Sequence, residues 1–101
     1  MVIVLASITV KAGKVDEFVA AFKDNLPAVH AEEGCIEYFP TQDIDSGMPI
    51  QEMDAQVVTI CEKWESLEHL AAHGKAPHML AYRERVKDIV EGMTLKVLQP
   101  A

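Results

Sequence analysis

The first ten residues are almost continuously apolar and rich in β-branched side chains, which predicts a strand from Val2 to Val10. One face of this strand consists of Val2, Val4, Ala6, Ile8 and Val10. The other face consists of Ile3, Leu5, Ser7 and Thr9. A strand that is largely apolar on both faces needs material packed on both sides of its sheet.

After Gly13 the apolar positions recur at helical spacing, which predicts a long helix that Gly34 brings to an end. Its stripe is Val15, Phe18, Val19, Phe22, Leu26 and Val29. Residues 35–43 and Val57 to Trp64 predict two further strands, and the turn-rich segment 43–49 between them indicates a long hairpin loop. Pro40 favours a bulge or an edge position for the first of these strands.

The C-terminal third predicts a helix broken in two, followed by a strand. Ser66 is placed to cap a short helix over Leu67–His73 that Gly74 ends. Pro77 then opens another helix that runs to about Val90, before a last strand from Met93 to Leu98. The stripe of this helix is Met79, Tyr82, Val86, Ile89 and Val90.

The order β-α-β-β-α-β predicts a single α+β domain over residues 1–101 with a ferredoxin-like antiparallel sheet. Both helices then lie on one face of the sheet. The apolar side chains of the other face need a cover from outside the monomer. A second copy packed sheet against sheet is the simplest cover, so we expect a two-fold homodimer.

The charge balance limits the classes of partner. Nine Lys and Arg against sixteen Asp and Glu give a net charge of −7, which repels phosphate backbones and anionic lipid. We therefore expect neither nucleic acid nor a membrane as a partner. No apolar run approaches the length of a membrane span, and residues 1–5 lack the features of a signal peptide, so we expect a cytoplasmic protein.

Two cysteines leave a question of pairing. If residues 35–43 and 55–64 pair as a hairpin centred near Met48, Cys35 and Cys61 lie roughly opposite each other, and a cross-strand disulfide is conceivable. A reducing compartment favours two free, buried thiols instead.

Histidines are the first candidates for chemistry. His69 and His73 are four residues apart, a spacing that could hold a metal ion with Glu65. Alternatively, the apolar side of their helix is Leu67, Leu70 and Ala71, which places His69 on a solvated face. His78 shares a helix face with Tyr82 at the helix–sheet seam, where an imidazole is either a general base or a buried structural residue.

Aromatic side chains could wall a ligand pocket. Trp64 ends the third strand, and with Tyr38 and Phe39 it either lines such a pocket or simply packs in the core. Glu62 shares a face with Trp64, where an unpaired carboxylate is costly, so we expect Arg83 or Arg85 to pair with it. No phosphate loop, dinucleotide-binding glycines, nucleophile elbow or CxxC cluster occurs, so if this protein is an enzyme, we expect it to work without a cofactor held by a known motif.

Taken together, these motifs resemble the antibiotic biosynthesis monooxygenase superfamily. The core of the resemblance is the run Ile60-Cys61-Glu62-Lys63-Trp64-Glu65-Ser66, followed by His69-Leu70, Ala72-His73, Pro77-His78-Met79 and Ala81-Tyr82. Scattered further matches point to its quinol monooxygenase branch and are Glu32-Glu33-Gly34-Cys35, Tyr38, Pro40, Asp43, Gly47, Met53, Val86-Lys87 and Leu98-Gln99-Pro100.

The resemblance implies a dimeric α/β barrel that oxidises a menadiol-like quinol with O₂ and without a cofactor. It makes His73 and His78 the candidate catalytic bases. The candidate substrate-binding residues are Tyr38, Trp64, Met79 and Tyr82.

Other activities found on the same fold give the alternative hypotheses for this chain. The haem-degrading branch has an Asn and a Trp where this chain has Ser7 and His73, which argues against haem cleavage. A non-redox isomerase of a small sugar-derived metabolite, or a quinone-binding dimer without catalysis, is compatible with the same fold.

Overall fold

The computed structural model describes residues 1–101 as four strands and three helices. They follow one another as β1 (Val2–Val10), α1 (Val15–His30), β2 (Cys35–Gln42), β3 (Val57–Trp64), α2 (Leu67–Lys75), α3 (Pro77–Val86) and β4 (Val90–Leu98). The strands form one antiparallel sheet in the order β2-β3-β1-β4. This is the predicted ferredoxin-like arrangement. None of the helices combines the length and apolar character that crossing a membrane requires.

The core lies between the sheet and the helices. Alternate residues of β1 are buried, from Val2 to Val10, and the residues between them are half-buried, as the alternation predicts. The fully buried side chains are Val4, Val10, Phe18, Phe22, Val29, Val58, Ile60 and Trp64. Sheet and helices therefore meet along the two apolar stripes that the sequence indicates.

The end of α3 differs from the prediction. The helix stops at Val86 instead of about Val90, and β4 begins at Val90, so Gly92 lies inside a strand and does not end a helix. Val90 pairs with Val10, and the Lys11 amide donates to the Ile89 carbonyl. Pairing of a β-branched residue with the buried β1 outweighs the helical spacing of the same side chains.

The break between α2 and α3 also lies later than predicted. α2 includes Gly74 and ends at Lys75, and Ala76 is extended with ψ 138°. The reason is Pro77, because the ring of a proline disfavours the helical conformation of the residue before it.

The register of β2 against β3 decides two open questions. Cys35 lies opposite Trp64 and Cys61 lies opposite Phe39, so the two thiols do not face each other and both are free. β2 is an edge strand, as Pro40 indicated, but the irregularity in its pairing lies between Cys35 and Glu37.

The helices leave β4 uncovered on their own side of the sheet. Met93, Leu95 and Val97 pair with the inward-facing residues of β1, yet they are 61%, 55% and 46% exposed. The opposite side, which we call the outer face, carries Ile3, Leu5, Phe39, Cys61 and Leu98 among threonines, a serine and the charged residues Glu37, Lys63 and Lys96. Apolar surface therefore remains open on both sides of the sheet.

Candidate active site

A cavity of about 520 Å³ lies between the helices and the sheet. Nineteen residues line it, and fourteen of them are hydrophobic. β1, β3 and β4 supply the floor, and all three helices contribute to the walls. A space of this size and character suits a flat aromatic ligand.

His73 reaches this cavity from α2. The Ser66 hydroxyl accepts a hydrogen bond from the His69 amide and so fixes the first turn of the helix, as predicted. The side of α2 that faces inward, however, is not the predicted one, because Leu67 is 61% exposed and His73 is 5% exposed. His73 faces inward, where a carboxylate in the turn that follows α1 is its buried partner.

That carboxylate is Glu32, which lies between two imidazoles. Its Oε2 is 2.9 Å from His73 Nδ1 and 2.8 Å from His78 Nε2. Only 13% of the Glu32 side chain is exposed, against 7% for His73 and 28% for His78. An ionised carboxylate only accepts hydrogen bonds, so His73 donates to it through Nδ1, and in the neutral imidazole Nε2 is then the acceptor.

His69 has a structural position. Its Nδ1 is 2.7 Å from the Ser66 hydroxyl, and its ring packs against the backbone of Gly34 so closely that a Cβ there would lie 2.2 Å away. It is half-buried and not on the solvated face that the sequence suggested. No three His, Cys, Asp or Glu side chains are arranged to hold a metal ion, including Glu65, His69 and His73.

Glu62 and Trp64 form a second buried polar pair. The Trp64 indole donates to Glu62 Oε1 at 2.9 Å, so the expected pairing of Glu62 with an arginine is wrong. Arg83 donates to the Gly74 carbonyl, and Arg85 pairs with Asp24 on the surface. Burial raises the pKa of the Glu62 carboxyl, and the Trp64 hydrogen bond and His73 offset part of that rise.

Two tyrosines add polar tips to the apolar walls. Tyr38 stacks on Phe22 with ring centroids 5.1 Å apart, and Tyr82 meets the Phe22 ring edge-on at 5.8 Å. Burial raises the pKa of both hydroxyls well above the usual range. Both phenols therefore stay protonated at neutral pH and are available as hydrogen-bond donors.

The structure divides the predicted site residues into two groups. His73, Tyr38, Met79 and Tyr82 line the cavity. His78 and Trp64 do not line it. His78 contacts Glu32, and Trp64 contacts Glu62 and lies 4.6 Å from the His73 ring centroid. Phe39 is on the outer face and has no part in the cavity.

Sequence reasoning missed two residues of the site. Glu32 was noted only as part of the family resemblance, and its sole local signal is an acidic residue between a helix end and Gly34. Arg83 lines the cavity, although the sequence suggested it only as a partner for Glu62. Neither has a neighbour in sequence that indicates its role.

Comparison with solved structures agrees on the fold. A conserved protein from Methanosarcina mazei superposes with a TM-score of 0.84 at 22% identity, covering 99% of this chain and 92% of that one. A protein from Mycobacterium tuberculosis gives 0.81 at 23% identity, covering 99% and 94%.

Comparison of sequences identifies the family. The chain is 43% identical over 79 residues to the Escherichia coli K12 protein named probable quinol monooxygenase YgiN, covering 78% of this chain and 76% of that one. The family described as antibiotic biosynthesis monooxygenase matches residues 1–85. Since that match spans most of the sequence and includes the cavity residues from Val4 to Arg83, this chain belongs to the antibiotic biosynthesis monooxygenase family.

Proposed function

We propose that this protein is a cofactor-independent monooxygenase that oxidises quinol-type aromatic substrates with O₂ in the cavity, with His73 as the base. The observation that carries the proposal is the position of His73. Its ring lies on the wall of a largely apolar cavity, and its Nδ1 is held by the buried Glu32. The relative named probable quinol monooxygenase YgiN supports the same substrate class.

The proposed chemistry begins with proton transfer. A quinol hydroxyl gives its proton to His73 Nε2, and Glu32 stabilises the imidazolium that forms. The resulting quinolate is electron-rich and reduces O₂ itself. In the balanced reaction, quinol and O₂ give a hydroxyquinone and water: one oxygen atom enters the ring, and the other leaves as water with two protons. The substrate supplies all four electrons that reduce O₂, two in reaching the quinone level and two in the conversion of a ring C–H bond to C–OH.

The cavity walls favour this substrate class over the alternatives. Fourteen hydrophobic lining residues suit an aromatic ring and offer few partners to the hydroxyl groups of a sugar-derived metabolite. The neutral hydroxyls of Tyr38 and Tyr82 are suited to donate hydrogen bonds to developing negative charge on the substrate oxygen. A binding module without catalysis would not need an oriented imidazole beside the ligand.

Oxygen uptake with purified, metal-free protein and menadiol tests the proposal. We expect a rate above autoxidation, together with hydroxylated product. His73→Gln removes the proposed base and should lower kcat by about 100-fold or more. Lys75→Gln is the matched control, because it places the same amide on an exposed position of the same helix outside the cavity and should leave the rate within about twofold.

Three outcomes would contradict the proposal. The first is no rate above autoxidation. The second is equal loss of activity in the Lys75 and His73 variants. The third is turnover of a substrate that continues without oxygen, which would favour a non-redox isomerase.

A further inference from the structure

A buried carboxyl group on the cavity wall is a second candidate for proton transfer. Glu62 lines the cavity from β3 and is only 7% exposed. Its Oε1 accepts the hydrogen bond from the Trp64 indole, whereas its Oε2 has no hydrogen-bond partner within the chain. Since no buried side-chain oxygen lacks a partner, Oε2 keeps some accessible surface, and the cavity is the space that Glu62 borders.

The register of the sheet brings Glu62 close to the proposed base. Glu62 lies opposite Tyr38 of β2 and two residues before Trp64, on the same face of β3. The His73 ring contacts both of these aromatic rings, with centroid distances of 5.2 Å to Tyr38 and 4.6 Å to Trp64. Glu62 and His73 therefore border the same part of the cavity, each held by a partner of its own.

The surroundings of Glu62 differ from those of the ionised Glu32. Glu62 lies among aromatic rings with one neutral donor, and burial raises the pKa of its carboxyl. The charge of Glu32 adds to this rise in pKa, and a protonated His73 opposes it. A carboxyl group that keeps its proton can act as an acid beside an imidazole that acts as a base.

We infer that Glu62 is a second catalytic residue, which gives a proton to the substrate peroxide and then takes the proton of the ring carbon. The inference rests on the proposed function, in which His73 takes the hydroxyl proton of the quinol. The ring carbon beside the ionised oxygen then forms a bond to O₂, which produces a peroxide anion on the substrate. The peroxide takes its proton from the Glu62 carboxyl.

The second half of the reaction returns both residues to their starting states. The Glu62 carboxylate removes the hydrogen of the carbon that carries the peroxide, as a proton. The electron pair of that C–H bond forms a C=O bond, the O–O bond breaks, and hydroxide leaves. Hydroxide takes the proton that His73 holds, so the products are a hydroxyquinone and water.

Glu62→Gln tests this role, because it keeps an oxygen for the Trp64 indole and removes the acidic proton. The peroxide anion should then leave the ring with protons from His73 and the second hydroxyl, so that menadiol and O₂ give menadione and H₂O₂. We expect hydroxylated product to form about 100-fold more slowly or less, with a smaller loss of O₂ uptake. An oxygen electrode, a peroxidase-coupled assay for H₂O₂ and chromatography of the products measure this, each corrected for autoxidation.

Two further variants separate the carboxyl group from general effects. Glu65→Gln makes the same change at an exposed carboxylate just after β3 and outside the cavity, and it should release no more H₂O₂ than the wild-type protein. Glu62→Asp retains a carboxyl group and should release less H₂O₂ than Glu62→Gln. Circular dichroism checks that each variant is folded.

Hydroxylation at the wild-type rate in Glu62→Gln would overturn the inference. Parallel loss of O₂ uptake and product without H₂O₂ would overturn it too, because Glu62 would then act before the peroxide forms. Either result with an active wild-type protein leaves the proposed function intact. A wild-type protein that forms no hydroxylated menadione defeats the proposed function, and the inference with it.

Discussion

Glu32 organises the site at the scale of single residues. One oxygen of its carboxylate contacts both His73 and His78, but only His73 lines the cavity. The two imidazoles, equal candidates in the sequence, therefore have different surroundings. His73 is placed to contact a ligand, whereas His78 lies outside the cavity and forms a hydrogen bond with the carboxylate that orients His73. Glu32 is thus a positioning residue that acts through His73.

Glu32→Gln tests this role. A glutamine amide can donate to His73 Nδ1 and so favours the tautomer whose Nε2 carries a proton and no longer accepts one. We expect kcat/KM for menadiol to fall by about 100-fold or more. Glu32→Asp keeps a carboxylate and should retain part of the wild-type rate. In the Glu32→Gln variant, the dependence of the rate on pH should differ from that of the wild-type protein.

Glu33→Gln serves as the control, since it removes a neighbouring but exposed carboxylate. A loss of similar size in both variants, or a Gln variant with an unchanged pH profile, would show that Glu32 does not act through His73.

At the scale of elements, the contact between the α1–β2 turn and α2 holds the site together. Gly34 has φ +83°, and a Cβ at this position would lie 2.2 Å from the His69 ring. The carbonyl of Gly34 also accepts a hydrogen bond of 2.9 Å from the Glu65 amide. The turn that carries Glu32 is therefore seated directly against the start of α2, which carries His73.

Gly34→Ala should be strongly destabilising, because it combines an unfavourable backbone conformation with a steric clash. We expect the free energy of unfolding to fall by about 3 kcal/mol in urea denaturation. Gly13→Ala is the control for the backbone alone, because Gly13 has φ +81° with nothing within 4 Å, and it should cost about 1 kcal/mol. Equal losses in the two variants would mean that the His69 contact contributes nothing.

At the scale of the whole molecule, the monomer leaves much apolar surface open. Phe39 and Leu98 are 43% and 38% exposed on the outer face, and the inner face of β4 is uncovered. Exposed apolar surface of this kind, here interrupted by the Lys63–Glu37 ion pair and Lys96, is typical of an interface in soluble proteins. We propose that a second copy covers the outer face, as the apolar first strand predicted.

Light scattering tests the dimer. We expect a mass of about 22 kDa, twice the 11.2 kDa of one chain, at micromolar concentration. Phe39→Asp places a charge on the outer face and should shift the mass toward the monomer. Leu80→Asp changes an apolar residue on α3 that is more exposed than Phe39 and should leave the mass unchanged. A wild-type monomer would contradict the proposal.

The sequence by itself determined which elements form, their order and the inward face of β1, because these follow from periodicities of two and three to four along neighbouring residues. It failed where distant partners compete. Val90, predicted in a helix, pairs with Val10 in the sheet. His73 faces the interior, where its partner is Glu32.

Only the tertiary structure decided the site. Glu32 precedes His73 by 41 residues and His78 by 46. No pattern along the chain encodes such meetings, because they depend on how the turn after α1 packs against α2. The physical reason is that hydrophobic spacing reflects the structure of one element at a time. The partner of a buried charged side chain depends instead on which residues the packing of several elements brings within hydrogen-bond distance.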